Sequence, residues 1–131
     1  MANFRGRSQF SYSYAAKRVE LSAKISIGAS GAPTLVAGTG QGISSITRTS
    51  AGHYTVSLSS AYGALLMVRH IINSGSSAPA APSLYIAADN SASFASPSIQ
   101  LVTNLAGTAT DPASGEIILL QIELNDSALS Y

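Results

Sequence analysis

Apolar and polar residues alternate with a period of two along much of this chain. In VELSAKISI, Val19, Leu21, Ala23, Ile25 and Ile27 fall on one side of an extended backbone, with Glu20, Ser22, Lys24 and Ser26 on the other. A helix would scatter those apolar residues around its axis, so the run predicts a half-buried antiparallel strand. Gly28 and the ASGAP stretch end it. HYTVSLS repeats the logic, with Tyr54, Val56 and Leu58 inward and Thr55, Ser57 and Ser59 outward. The β-branched run Ile43 to Thr49 joins it through Ser50-Ala51-Gly52, a hairpin-sized turn.

Weaker signals fill the rest. Thr34 to Ala37 reads as a short strand bracketed by Pro33 and the glycines of GTGQG, and Leu84 to Ala88 and Ile99 to Thr103 follow between Pro, Gly or Ser clusters. Leu65 to Ile72 fits either state: Leu, Met and Ala favour helix, while Val68, Ile71 and Ile72 favour strand. Ser60 to Ala64 is predicted as a short helical turn, capped by Ser59 or Ser60, that leads into a strand. Glu116 to Leu124 is nearly continuous in hydrophobicity, which predicts a central strand covered on both faces. The pattern therefore predicts an all-β fold, an antiparallel β-sandwich of about eight strands, jelly-roll-like, with an extended N-terminal arm. Residues 1–16 form the arm and 17–131 the sandwich domain; NSGSSAPAAPS, Asn73 to Ser83, is a loop or extended connector.

Composition narrows the class. Of 131 residues, 46% are hydrophobic and only 10% charged, the reverse of a disordered chain. The absence of Cys excludes disulfide staples, thiolate metal sites and a Cys nucleophile. The start has arginines but no apolar core of a signal peptide, and no apolar run approaches a spanning helix, so the expectation is synthesis in a cytoplasm with no membrane partner. So few charges leave a Ser/Ala/Gly surface that suits a subunit within an assembly. The net charge of +1 is a cancellation. Arg5, Arg7, Lys17, Arg18 and Lys24 stand against Glu20 in the first 24 residues, a net +4. Beyond them, Arg48 and Arg69 face Asp89, Asp111, Glu116, Glu123 and Asp126, a net −3. The first 16 residues also carry Phe4, Phe10, Tyr12 and Tyr14. Arg and Tyr are frequent interface anchors, so Phe4, Arg5, Arg7, Phe10, Tyr12, Tyr14, Lys17 and Arg18 are read as a partner-binding arm.

Chemistry has little to stand on. His53 and His70 are the near-neutral acid/base candidates, and both read as ordinary strand residues. Asp111 precedes Pro112 in TDPASGE, where a carboxylate accepts a local backbone N–H in an Asx-type turn, and Asp89-Asn90 reads the same way. Gly38-Thr39-Gly40-Gln41-Gly42 misses both phosphate-binding motifs, because Ile43 stands where G-x-G-x-x-G needs its last glycine and no Lys-Ser/Thr follows. The expectation is a non-enzyme with no catalytic residue, no metal site and no cofactor. The arm's cations alone would give weak, salt-sensitive nucleic-acid binding, so no specific nucleic-acid partner is expected.

Between Gly31 and Ser127 the chain resembles small virion structural proteins of tailed bacteriophages. The likeness rests on GAPTLVAGTGQG, the hairpin ITRTSAGHYTV, the step Tyr62-x-x-Leu65-Leu66, and the late turn TDPASGE before EIILLQIEL. Such proteins are typically β-sandwich subunits on the capsid exterior that act as cement or decoration proteins. The resemblance implies a virion location, the major capsid protein as partner, and self-association as a homodimer or homotrimer on icosahedral axes. Two other readings stand beside it. One is a head-fibre, tail-fibre or receptor-binding β-sandwich of a virion; the other is a lectin-like or carbohydrate-processing module, which would need Asp89, Asp111 and Glu116 to converge across a cleft.

Overall fold

The alternating runs become two antiparallel sheets in the computed structural model, which describes residues 18–73 and 83–125. Nine strands follow along the chain: β1 (Arg18–Ile27), β2 (Pro33–Leu35), β3 (Ile43–Ser50), β4 (His53–Leu58), β5 (Ala64–Asn73), β6 (Ser83–Asn90), β7 (Ser98–Leu105), β8 (Thr108–Ala109) and β9 (Ile117–Asn125). One sheet has the order β2-β1-β9-β5. The other runs β3-β4-β7-β6, with the two-residue β8 paired to β7. The chain changes sheet between β2 and β3, β4 and β5, β5 and β6, and β8 and β9. It ends with β9 seated between β1 and β5, nine residue pairs in register with each. This is the all-β sandwich of the sequence pattern.

Its core is the set of inward positions that the alternation marked. Leu21, Ala23, Ile25 and Ile27 of β1 are buried, as are Tyr54, Val56 and Leu58 of β4. They join Ile99 and Leu101 of β7 and Ile118, Leu120, Ile122 and Leu124 of β9 in one cluster between the sheets. The β3–β4 hairpin turns through Ala51-Gly52, with Gly52 at φ +71°, a left-handed conformation that glycine adopts without a Cβ clash.

Two expectations are corrected and one open choice is resolved. Ser60 to Ala64 forms no helical turn, because its backbone donors reach distant acceptors instead of local ones: Tyr62 N–H bonds the Ser91 carbonyl at 2.8 Å and Gly63 N–H the Asn125 carbonyl at 2.9 Å. Leu65 to Ile72, open between helix and strand in the pattern, is the strand that Ser60 to Ala64 was expected to lead into, since β9 offers it a ladder. β9 is central, but its outer face is only partly covered: Ile118, Leu120, Ile122 and Leu124 are buried toward the core, while on the outer face Glu123 is buried and Leu119 is 36% exposed.

Candidate functional site

Among the described residues, one polar cluster joins three segments far apart in sequence. Asp111, in the loop between β8 and β9, takes Arg48 of β3 in a two-point grip, Nε to Oδ1 at 2.9 Å and Nη2 to Oδ2 at 2.8 Å. The same carboxylate accepts the Gly52 backbone N–H at 2.8 Å. Tyr54 places its buried hydroxyl 3.1 Å from Asp111 Oδ1 and 3.0 Å from the Gly31 carbonyl, sharing one proton between them. Thr103 adds a bond from its hydroxyl to the Thr110 carbonyl at 2.6 Å. Arg48 above all, and then the Gly52 and Tyr54 hydrogen bonds, hold the Asp111 carboxyl down at about 2 despite partial burial. Burial first, then the bond to Asp111, pushes the Tyr54 hydroxyl upward. A carboxylate held ionised by four donors, and a phenol held protonated, are poised for structure rather than proton transfer. Asp111 therefore closes a loop as expected, yet through Gly52 and Arg48, 59 and 63 residues away, in place of an Asx turn.

The other carboxylates are spent separately. Asp89 Oδ1 accepts the Ser91 N–H at 3.0 Å, the expected Asx-type bond. Glu116 accepts the Ala113 N–H at 3.1 Å. Asp89 pairs with Ile99 at the start of β7, whereas Asp111 follows β8, which pairs with Asn104 near that strand's other end. Five residues of strand separate those positions, roughly 17 Å. Among the described residues, no group of three or more His, Asp and Glu is placed to hold a metal ion. His53 is exposed at the hairpin, with Nδ1 2.9 Å from the Ala51 carbonyl. His70, a strand residue of β5, sits opposite Leu120 on the core-facing row, half-buried.

Of the predicted arm, Arg18 opens β1, exposed and opposite Asn125. Phe4, Arg5, Arg7, Phe10, Tyr12, Tyr14 and Lys17 lie outside the described residues.

The feature that pattern reading passed over is one flank of the sandwich. Along one side, β2 and β3 approach each other and close the gap between sheets. The opposite side is bounded by the edge strands β5 and β6. On these two strands Leu66, Met67, Ile71, Tyr85 and Ile86 are exposed, Ile71 at 68%; Met67 and Ile71 pair with Glu123 and Leu119 and so stand on the outer face of their sheet beside the β5 edge. Ile86 pairs with buried Leu101 and so points toward the core, yet it is 42% exposed. The β3 edge is different in kind, exposing Ser44, Ser45, Thr47, Arg48, Thr49 and Ser50. Around the corner from β5, a shallow groove of about 480 Å³ runs over Ile71 and Leu119, rimmed by Lys24, Thr39, Arg69 and Gln121. Arg69 is held by Glu123, Nη2 to Oε1 at 3.5 Å. The signal was in the sequence as ALLMVRHIIN, apolar on both sides of the pleat; what it lacked was the strand order that leaves this segment at an edge.

No protein-family model, curated protein or solved structure matches this chain. Its functional reading therefore rests on the residues themselves.

Proposed function

We propose that the chain is a structural virion protein that binds the outer surface of a phage capsid and stabilises the shell by bridging major capsid protein subunits. The observation that carries this reading is the run of turn and strand motifs from Gly31 to Ser127 that resembles small tailed-phage virion proteins. Scarce charge and carboxylates tied into loop closure agree with a role without chemistry. The mechanism is mechanical: the sandwich associates with further copies, and the segment carrying Phe4, Arg5, Arg7, Phe10, Tyr12, Tyr14, Lys17 and Arg18 docks on the shell. Several modest contacts per oligomer then add up through avidity. The protein is made in the host cytoplasm and ends on the capsid exterior.

A head-fibre, tail-fibre or receptor-binding role is the second reading, and one observation favours it. Phe94, in the loop between β6 and β7, is 89% exposed, as an aromatic contact to a host surface would be. The two part on a co-sedimentation experiment with capsids of the virus encoding the chain. The intact protein is expected to co-sediment and raise the temperature at which the shell opens, and deletion of residues 1–16 to abolish both. Unchanged occupancy after deletion would remove the arm from the account. Failure of the intact protein to bind would shift the assignment to the fibre reading.

A further inference from the structure

We propose that the flank formed by β5 and β6 is where this chain meets a second copy of itself, with β5 lying antiparallel to its symmetry mate so that the β2-β1-β9-β5 sheet continues across the pair. The proposal deepens the self-association half of the function above and needs nothing from the capsid half.

Four observations support a second copy as the occupant. First, the two edges of the sandwich are treated oppositely. Natural sheets blunt free edges with charges, prolines or cover. β3 carries Ser, Thr and Arg at its exposed positions, whereas β5, ten residues long, has no Pro and one formal charge. A register shift between Leu65 and Met67 bulges its first turn, but Met67 to Asn73 runs unbroken against β9. Second, the core is incomplete on this side. Leu65, Val68 and Ile72 pack against the buried cluster yet are only partly buried, and Ile86 points inward while 42% exposed. Such positions gain cover when a second flank closes over them.

Third, the area suffices. Ten residues of strand extend about 33 Å, and two sheets about 10 Å apart with their outer side chains give a flank about 20 Å wide, near 700 Å². A standard stable interface takes about 800 Å² from each partner. Fourth, charge permits a self-contact. Arg69 is already paired with Glu123 within its own sheet, so apposing two β5 strands brings no unpaired like charges together, provided the two-fold axis avoids Arg69 itself. The N-terminal segment is the poorer occupant, because Arg5, Arg7 and Lys17 would meet no carboxylate on β5, and Glu123 of the neighbouring strand is already held by Arg69. A two-fold contact of this kind is closed, with the same patch on both copies, and does not propagate into a filament.

The test is the mass of the full chain by sedimentation equilibrium at tens of micromolar, alone and with two paired controls. The intact protein is expected to be a dimer, and Met67→Lys with Ile71→Lys is expected to halve the mass; both side chains are exposed, so the fold does not depend on them. Thr47→Lys on the opposite edge is expected to leave the dimer unchanged. Amide exchange on the intact protein gives an independent readout: β5 is expected to gain protection as concentration rises while β3 does not. A monomer at every concentration overturns the proposal, as does a trimer, or a dimer whose mass survives the two β5 lysines. Because no capsid enters this experiment, its failure is separable from failure of the virion reading.

Discussion

Asp111 concentrates the fold's polar stability in one side chain. Its carboxyl is held at about 2 against an ordinary 3.8, and a carboxylate whose folded value is depressed contributes stability that is full above the unfolded value. That contribution is lost as pH falls through about 2. The shift corresponds to about 1–2 kcal/mol once discounted for the one-fifth exposure of the carboxylate. Asp111→Asn is therefore expected to lower stability by about that amount at pH 7, measured by urea unfolding. The gap between variant and parent should narrow between pH 4 and pH 2. A gap independent of pH would mean that packing, and not ionisation, carries the effect. Asp before Pro suggested a local Asx turn for Asp111. Its partners were out of reach of that reasoning, since only the sheet order brings Arg48 and Gly52 to it.

Strands were legible wherever one face met the core and the other did not. β1 and β4 follow their alternation residue by residue, and the turn chemistry at Gly52 marked the hairpin between β3 and β4. β5 resisted because its burial alternates but its hydrophobicity does not: His70 stands in the core-facing row while Met67 and Ile71 stand in the exposed one, and its Leu and Met suit a helix equally well. β9 misled in the other direction. Its continuous apolar run implied cover on both faces, whereas its outer face is partly open, so hydrophobicity there records an exposed sheet surface rather than a second core layer. That one-sidedness predicts unequal costs along the same strand. Ile122→Ala, at a position 1% exposed, is expected to cost about 2–5 kcal/mol in unfolding free energy. Leu119→Ala, on the open face, is expected to cost under about 1 kcal/mol in the isolated protein. Equal costs would indicate that the outer face of β9 is packed after all.

The whole molecule combines a closed, polar β2/β3 side with an open, apolar β5/β6 side, on a chain with few charges to hold neighbours apart. A free monomer gains nothing from that asymmetry. The proposed subunit would, with its apolar side pairing copies and the positively charged N-terminal segment left for a different surface. The +4 of the first 24 residues against the −3 of the rest fits such a division of labour. Asp89, near the end of β6, and Asp111, in the loop after β8, lie toward opposite ends of one sheet and each accepts a backbone N–H. The most direct measurement of the central claim is a binding isotherm of the intact chain on purified capsids of the virus that encodes it. The account predicts saturation at a fixed number of copies per shell, commensurate with its icosahedral symmetry. Binding that never saturates, or no binding to capsids at all, would contradict it.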